Sequence, residues 1–516
     1  MLARWWILFK KEPECISQRK AGIFLVFSSA IFLFAFLPAV LAGYYFLPRR
    51  FRNIFLTLAS LLFYAWGEPK FVLIMVLSIL MNYVFGLLVV RREDEAYRSI
   101  ILTLMVCANL SIFFVFKYLN FTIENLNLLF CGAIPQTHIR LPIGISFFTF
   151  QAMSYVFDVS LGRGEVQKNP LNVALYIALF PQLIAGPIVR YETVAEEIQQ
   201  RRETLPDFAK GCRRFAVGLA KKTILSNGVG LLADRAFGFV TATQLSAAMA
   251  WLGVLAYAFQ IYFDFGGYSD MAIGLGLMFG FHFDENFRYP YISRTISEFW
   301  QRWHISLGSW FRDYLFYPVS RKAVPLGKKI KKRWGKTAGR LAPNIIALAA
   351  VWLCTGIWHG ASWGYILWGV YYGLLLITSL ILQPTFKRLT GKLRVNVESR
   401  GFRLVQIGRT FLLVLLGYVL FRSATLSRAV QYYSAMFGLA GNAAIDSDAS
   451  FFFRQYAPIL TLCAVFSTPI LDWLRDRVGG VFMSETVKSV VCFLLLVLSA
   501  AYIVSSSYNP FIYFTF

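Results

Sequence analysis

Two apolar segments set the character of this chain: SEFWQRWHISLGSWFRDYLFYP at residues 297–318 and WLCTGIWHGASW at residues 352–363. They contain His304 and His359, two of the four histidines, and each of these follows a tryptophan. An ionisable side chain at membrane depth costs about 2.5–3.5 kcal/mol on insertion scales, so such a residue usually marks a functional site. The stretch 297–363 is therefore the candidate catalytic stretch.

The composition of the whole chain indicates a membrane protein. Of its 516 residues, 57% are hydrophobic and only 15% are charged, whereas soluble domains have roughly 45–50% apolar and about 25% charged residues. The aromatic content of 17% suits lipid-facing surfaces and interfacial belts. These values exclude an ordinary soluble globular domain and predict an all-α, polytopic membrane fold.

The net charge of +24 would suggest nucleic acid as a partner in a soluble protein. Here the lysines and arginines cluster in short joints between apolar runs, which is the pattern that holds loops in the cytoplasm. We therefore expect membrane lipid, and no nucleic acid, as a partner. The seven cysteines are scattered without CxxC or zinc-ligand spacing, so neither a disulfide framework nor a metal site is predicted.

Apolar runs of roughly 20 residues are long enough to cross a bilayer. They predict roughly eleven transmembrane helices plus one or two re-entrant or amphipathic helices. The runs lie near residues 26–48, 51–66, 70–90, 100–116, 141–161, 246–281 (two runs), 343–361, 363–383, 407–423, 456–473 and 487–506. We expect residues 1–25 to form a basic N-terminal extension and residues 26–516 a single multi-span domain.

The apolar segment 171–190 is interrupted in FPQLIAGPIVR by Pro181, Gly186 and Pro187. Non-helical backbone at membrane depth is tolerated only where protein or a water-filled cavity surrounds it. We therefore predict a re-entrant hairpin here rather than a full crossing.

Two acids lie in the apolar region 246–281, where a plain lipid-facing helix would have none. Asp264 and Asp270 flank the pair Gly266 and Gly267 in FDFGGYSD. Two hypotheses stay open: the acids pair with basic or hydroxyl groups of an internal cavity, or they cap a break between two helices.

The first histidine segment has the periodicity of one amphipathic helix. The apolar stripe consists of Trp300, Trp303, Leu307, Trp310 and Tyr314. The polar side consists of Glu298, Gln301, Arg302, Ser309 and Arg312, with Glu298 and Arg302 spaced for an i,i+4 ion pair. His304 falls at the edge between the two faces. The helix either lines a reaction chamber or lies on the membrane plane as an interfacial helix.

In the second segment Gly356, Gly360 and Gly364 recur every four residues. A ridge of small residues lets another helix or a thin substrate approach the backbone, and His359 would stand beside that ridge. The alternative is that His359 only bonds a carbonyl group of a neighbouring helix.

Between the two segments, residues 321–340 contain nine lysines and arginines and no acid. The simplest interpretation is a basic loop that stays in the cytoplasm. A second is electrostatic capture of an anionic donor such as coenzyme A.

Several motifs together resemble the membrane-bound O-acyltransferases, and within them the bacterial, alginate O-acetyltransferase-like branch. They are FDFGGYSDMAIGLGLMFGF, EFWQRWHISLGSWFRDYLFYP and WHGASW, with LPIGISFFTFQAMSYVFDV, FPQLIAGPIVRY and YNPFIYF in addition. The resemblance implies a many-helix fold around a central funnel that joins the two membrane faces. It also implies that His359 is essential and that His304, often asparagine in eukaryotic relatives, binds or polarises a substrate.

The resemblance implies acyl transfer with acetyl-CoA as donor and no bound cofactor. His359 would be the general base, while His304, Trp303 and Ser306 would orient a substrate or stabilise the oxyanion. Further candidates for supporting or donor-binding roles are Arg302, Asp313, Trp358, Asp264 and Asp270.

We therefore predict an O-acetyltransferase of the bacterial cytoplasmic (inner) membrane. It would pass acetyl groups outward for O-acetylation of an exopolysaccharide such as alginate, or of a cell-wall glycan. An extracytoplasmic SGNH-type or membrane-anchored acetyltransferase would be its partner. The alternatives are transfer of another acyl group, such as D-alanine to teichoic acid, a transporter or channel of a polysaccharide export complex, and a non-catalytic scaffold.

Overall fold

The computed structural model describes residues 25–478, 484–506, 508–510 and 512. Helices make up nearly all regular structure in these residues, beside one isolated β-bridge, so the all-α prediction is confirmed. The predicted extension 1–25 lies, except for its last residue, outside the described residues. In chain order the helices are α1 (Leu37–Phe46), α2 (Arg49–Gly67), α3 (Val72–Val89), α4 (Glu95–Lys117), α5 (Leu119–Phe130), α6 (Ile145–Ser160), α7 (Pro170–Ala178), α8 (Phe180–Leu183), α9 (Tyr191–Gln200), α10 (Leu205–Ala220), α11 (Asn227–Phe237), α12 (Ala247–Met278), α13 (Ile296–Arg302), α14 (Ile305–Phe311), α15 (Tyr317–His359), α16 (Trp363–Lys392), α17 (Arg400–Arg422), α18 (Leu426–Met436), α19 (Ser447–Phe466), α20 (Ile470–Val478) and α21 (Glu485–Ser505).

Eight helical stretches within the described residues are long and apolar enough to cross a membrane. Except on Ala247–Met278, which is mostly buried, much of their apolar surface is exposed; on α21, for example, Phe493 is 63% and Leu494 59% exposed, as expected for side chains that face lipid. A multi-pass membrane protein is thus confirmed, although the number of eleven crossings is not. The stretches are Val72–Val89, Glu95–Lys117, Ala247–Met278, Ile305–His359, Trp363–Lys392, Arg400–Arg422, Ser447–Phe466 and Glu485–Ser505.

The described chain divides into two compact units. The first contains Val229–Gln260 and Asn286–Asp476, and the second contains Ile261–Glu285 with the described parts of Cys15–Gly228 and Arg477–Phe516. The candidate catalytic stretch lies wholly in the first unit. A single domain from 26 to 516 and its central funnel stay predictions.

In the second unit, the segment 171–190 is a broken helix, as predicted, while its re-entrant course stays a prediction. α7 and α8 are nine and four residues long, too short to span a bilayer, and irregular backbone follows α8. The Tyr176 hydroxyl donates to the carbonyl of Val189 at 2.8 Å, and the amide of Phe180 donates to Ser60 Oγ at 3.1 Å. Protein groups thus satisfy this buried irregular backbone, as membrane depth requires.

The hypothesis of a helix break at Gly266–Gly267 is wrong, because α12 runs unbroken through FDFGGYSD for 32 residues. A Cβ at Gly267 would lie 2.7 Å from the carbonyl oxygen of Gly218, so the missing side chain lets α10 pack against the backbone of α12. The glycine therefore serves a close helix contact rather than a kink.

The basic segment 321–340 is also not a loop. It lies within α15, which turns back on itself at Gly335 (φ 90°, ψ 170°) to form a hairpin of two helical arms. A Cβ at Gly327 would lie 2.8 Å from the carbonyl oxygen of Gly339, so glycines let the arms approach closely. The nine cations are all exposed. We call residues 321–340 the basic hairpin.

Candidate active site

The first histidine occupies a strained turn between α13 and α14. Trp303 is extended, and His304 has the left-handed conformation (φ 46°, ψ 54°), which is uncommon for residues other than glycine. Such conformations cost energy and cluster at functional sites. One continuous amphipathic helix was therefore the wrong prediction, although the predicted faces hold: Trp303, Leu307 and Trp310 are buried.

Asn286 holds this turn in place from a preceding segment. Its backbone carbonyl accepts from the amide of Ile305 at 3.0 Å. Its side-chain Oδ1 accepts from Ser306 N at 3.2 Å and from Ser306 Oγ at 2.9 Å, and lies 3.1 Å from His304 Nδ1. An amide oxygen only accepts, so Nδ1 of His304 carries the hydrogen. In the neutral ring Nε2 then has the lone pair.

The second histidine ends helix α15. Gly360 is extended and α16 begins at Trp363, so the three predicted ridge glycines do not share one helix, and that prediction was wrong. Gly356 does allow close approach: a Cβ there would lie 2.6 Å from the carbonyl oxygen of Tyr365. His359 therefore lies three residues after a point where α15 and α16 pack closely.

Aromatic rings surround His359, which is 5% exposed. Its ring centroid lies 4.8 Å from that of Trp358, 4.9 Å from Trp368 and 5.1 Å from Phe421, and all three rings stand nearly perpendicular to the imidazole. The His304 ring lies 6.0 Å from the same Trp358. The indole ring of Trp358 therefore contacts both imidazole rings and links the two histidines, which are 55 positions apart in sequence.

Comparison with known proteins identifies the family of the chain. The model of the MBOAT, membrane-bound O-acyltransferase family, matches residues 58–402, which is more than half of the chain. The chain belongs to the membrane-bound O-acyltransferase family. The protein is thus a multi-pass membrane acyltransferase, and both histidines lie inside the matched region.

Relatives of this acyltransferase differ in the substrate that their names state. The chain is 37% identical to the probable alginate O-acetylase AlgI of Pseudomonas putida over 521 residues, or 95% of this chain and 100% of the relative. It is 32% identical to the peptidoglycan O-acetyltransferase of Helicobacter pylori over 541 residues, 95% and 98% of the two chains. It is 28% identical to the teichoic acid D-alanyltransferase of Bacillus subtilis over 284 residues, 54% and 68% of the two chains.

The residues predicted to support His304 have structural contacts. Trp303 is buried, with its ring 5.0 Å from Phe287. The Ser306 hydroxyl donates a hydrogen bond to Asn286 Oδ1. Arg302 forms the predicted i,i+4 ion pair with Glu298 at 2.8 Å. These contacts shape the turn of the acyltransferase, and direct roles toward substrate stay predictions.

Asp313 lies seven residues after Ser306 and pairs with the adjacent Arg312 at 3.0 Å. Its side chain is 11% exposed. Its predicted supporting role toward substrate stays a prediction.

Asp264 and Asp270 belong to the second unit, where both have cationic partners. Asp264 Oδ1 lies 2.6 Å from Lys222 Nζ, and both side chains are 1% exposed. Asp270 contacts Arg214 at 2.8 Å and Lys221 at 2.7 Å. The hypothesis of basic partners is confirmed, and capping of a helix break is wrong. An internal cavity around the two acids and their supporting or donor-binding role stay predictions.

Sequence reasoning missed Asn286, Trp368 and Phe421. Asn286 follows the acids of FDEN, and nothing in the local pattern links it to a turn 18 residues later. Trp368 and Phe421 read as ordinary apolar helix residues, because their contact with His359 depends on how α16 and α17 pack.

Proposed function

We propose that this acyltransferase transfers acetyl groups from cytoplasmic acetyl-CoA toward an extracytoplasmic polysaccharide, with a partner acetyltransferase completing the transfer. The observation that carries the proposal is the buried His304–Trp358–His359 constellation in a membrane acyltransferase. The names of the Pseudomonas putida and Helicobacter pylori relatives support acetyl as the group and a glycan as the acceptor.

The chemistry requires a base. A sugar hydroxyl is a poor nucleophile near neutral pH, whereas a thioester is already activated for attack. An imidazole that removes the hydroxyl proton contributes roughly 10²–10⁴ in rate. In the proposed step His359 takes this proton, the alkoxide oxygen bonds the carbonyl carbon, the C–S bond breaks, and the proton passes to the coenzyme A thiolate.

The aromatic surroundings suit this step. Trp358, Trp368 and Phe421 keep water away from His359, which limits hydrolysis of the thioester and strengthens electrostatic interactions. His304, with its tautomer set by Asn286, would present Nε2 and so accept a hydrogen bond from a substrate hydroxyl or amide. This fits the binding or polarising role that the resemblance implies.

The basic hairpin supports an anionic donor. Its nine exposed cations, without an intervening acid, form a one-signed patch that raises the local concentration of a polyanion. The phosphates of acetyl-CoA fit that chemistry. Retention of the hairpin in the cytoplasm is compatible with this role, since the donor is cytoplasmic.

D-alanyl transfer is the second candidate, and the similarity to the Bacillus subtilis relative favours it. That similarity covers 54% of this chain, against 95% for each of the two acetylation relatives. Acetyl transfer is therefore the function that we propose.

A donor comparison tests the proposal. The protein in nanodiscs, with the partner acetyltransferase present or absent, is supplied with radiolabelled acetyl-CoA or with a D-alanyl thioester, and label on polysaccharide is counted. We expect label from acetyl-CoA only. Label from the D-alanyl thioester alone would replace the proposal with the second candidate, and label from neither would favour a transporter or scaffold.

A further inference from the structure

A cluster of four aromatic side chains adjoins His359. It consists of Trp300, Trp352, Trp368 and Tyr372, which we call the aromatic cluster. Neighbouring ring centroids within it lie 4.7–6.1 Å apart, and Trp368 is the member that contacts His359, at 4.9 Å. Trp300 lies in α13, beside the His304 turn. The aromatic cluster therefore connects the two histidine segments.

Three polar atoms of the aromatic cluster are buried without a hydrogen-bond partner among the residues that the structure describes. They are Trp300 Nε1, Trp368 Nε1 and the hydroxyl oxygen of Tyr372. Trp368 is 3% exposed and Tyr372 is fully buried. Buried polar groups are nearly always paired, because an unpaired one keeps its full desolvation penalty. Three such groups in one cluster beside a candidate base need an explanation.

The Tyr372 hydroxyl also needs space beside a neighbouring helix. A Cβ at Gly417 of α17 would lie 2.5 Å from the hydroxyl oxygen, so glycine at 417 leaves room for it. Phenylalanine at 372 would fill the same place except for the hydroxyl, and it would bury no unpaired oxygen. The hydroxyl is thus accommodated by the fold but does not bond to it.

The three groups share one property: each can donate a hydrogen bond, and indole nitrogen can do nothing else. A ligand that satisfies them must supply acceptor atoms, such as a carbonyl oxygen with its two lone pairs. We propose that Trp300, Trp368 and Tyr372 form a donor-lined subsite beside His359 that binds the carbonyl oxygen of the transferred acyl group. This inference rests on the proposed function.

The subsite would act on charge that develops during transfer. When the acceptor oxygen bonds the thioester carbon, the carbonyl oxygen becomes negative, and donors in a low-dielectric site stabilise it. The carbonyl then re-forms as the C–S bond breaks, the electron pair leaves on sulfur, and the proton held by His359 goes to the thiolate. Trp368 is the member of the three whose ring contacts His359, at 4.9 Å between centroids.

A purely structural alternative exists within the aromatic cluster. The ring planes of Trp300 and Tyr372 stand at 88° with centroids 4.9 Å apart, and those of Trp300 and Trp352 at 65° and 4.7 Å. In such edge-to-face pairs an N–H or O–H group can point at a ring face as a weak hydrogen bond. The donors would then serve packing alone.

Tyrosine-to-phenylalanine variants at adjacent positions separate these roles. The Tyr371 hydroxyl donates to the carbonyl of Leu413 at 2.8 Å, so Tyr371→Phe removes a used hydroxyl and Tyr372→Phe an unused one. Coenzyme A release from acetyl-CoA is measured in nanodiscs with the partner present, beside thermal unfolding, for both variants, wild type and His359→Ala. Trp368→Phe is a second test of the same subsite.

We expect Tyr372→Phe to lower kcat about 10²-fold. The KM for acetyl-CoA should stay within about twofold of the wild-type value, because the lost donor acts only in the transition state. The Tm should stay the same or rise. We expect Tyr371→Phe to lower Tm and keep kcat. If Tyr372→Phe and Trp368→Phe both retain the wild-type kcat, the inference is overturned. In that case a loss of coenzyme A release in His359→Ala relative to wild type still supports the proposed function. No turnover by wild type overturns both.

Discussion

The imidazole of His304 lies 6.0 Å from the indole of Trp358, ring centroid to ring centroid. Trp358 is the neighbour of His359 in α15, and its ring lies 4.8 Å from that imidazole. The indole of Trp358 thus contacts the imidazole rings of both histidines. The pair is positioned by packing, since the turn at His304 and the end of α15 are fixed by different parts of the chain.

Asn286 is the residue on which the His304 turn depends. Asn286→Ala removes the acceptor of His304 Nδ1 and of both Ser306 donors, so we expect lower turnover and a loss of stability of about 1–3 kcal/mol. The matched control is Asn82→Ala, because Asn82 is equally buried and pairs with Asn109 at 3.0 Å in the other unit. It should lose stability but not turnover. Equal turnover losses in the two variants would contradict this role for Asn286.

The left-handed conformation of His304 predicts a ranking of substitutions. Asparagine tolerates this conformation and retains a polar group, whereas alanine pays a conformational cost of about 1–2 kcal/mol and loses polarity. His304→Asn should therefore keep more coenzyme A release than His304→Ala, which we expect to fall at least about tenfold. If alanine is as active as asparagine at this position, His304 neither binds nor polarises substrate.

The Lys222–Asp264 pair should be essential for stability of the second unit. Both side chains are 1% exposed. Removal of one partner leaves a buried charge uncompensated, which lowers the free energy of unfolding by about 3–5 kcal/mol. We expect Lys222→Met and Asp264→Leu each to lower Tm strongly, and the double variant to recover part of the loss. The control is the exposed pair Arg235–Asp448, whose loss should lower the free energy of unfolding by only about 0–1 kcal/mol. Additive losses in the double variant would show that the pair is not coupled.

The basic hairpin makes a kinetic prediction. Replacing Lys328, Lys329, Lys331 and Lys332 with glutamine should raise the KM for acetyl-CoA and weaken the salt dependence of that KM, with kcat unchanged, because salt screens electrostatic steering. The control is the same change at four exposed cations after the apolar part of α16, namely Lys387, Arg388, Lys392 and Arg394. An equal rise of KM in both variants would assign the effect to net charge rather than to the hairpin.

Sequence patterns predicted the elements better than their ends. Helical periodicity runs without interruption through Trp303 and His304, so a break there is invisible until Asn286 and its hydrogen bonds are known. The opposite case is α12, where the glycine pair left a helix break open as one hypothesis, but Gly267 serves contact with Gly218. In both cases a distant segment decides what the local pattern leaves open.

The candidate site could be predicted in part for a similar reason. His304 and His359 stand out because ionisable groups are costly in apolar sequence. Trp368 and Tyr372 do not, since aromatic residues are common throughout this chain. Their significance depends on which buried atoms lack partners, and that is a property of the packed structure alone.

The central claim is that His359 is the base of an acetyl transfer. Its most direct test is acetyl-CoA turnover by the purified protein in nanodiscs, wild type against His359→Ala, with the fold of each checked by its elution profile and with the acceptor partner present and absent. We predict that wild type releases free coenzyme A and that the folded variant falls by about 10²-fold or more. Equal turnover by the two proteins would contradict the claim.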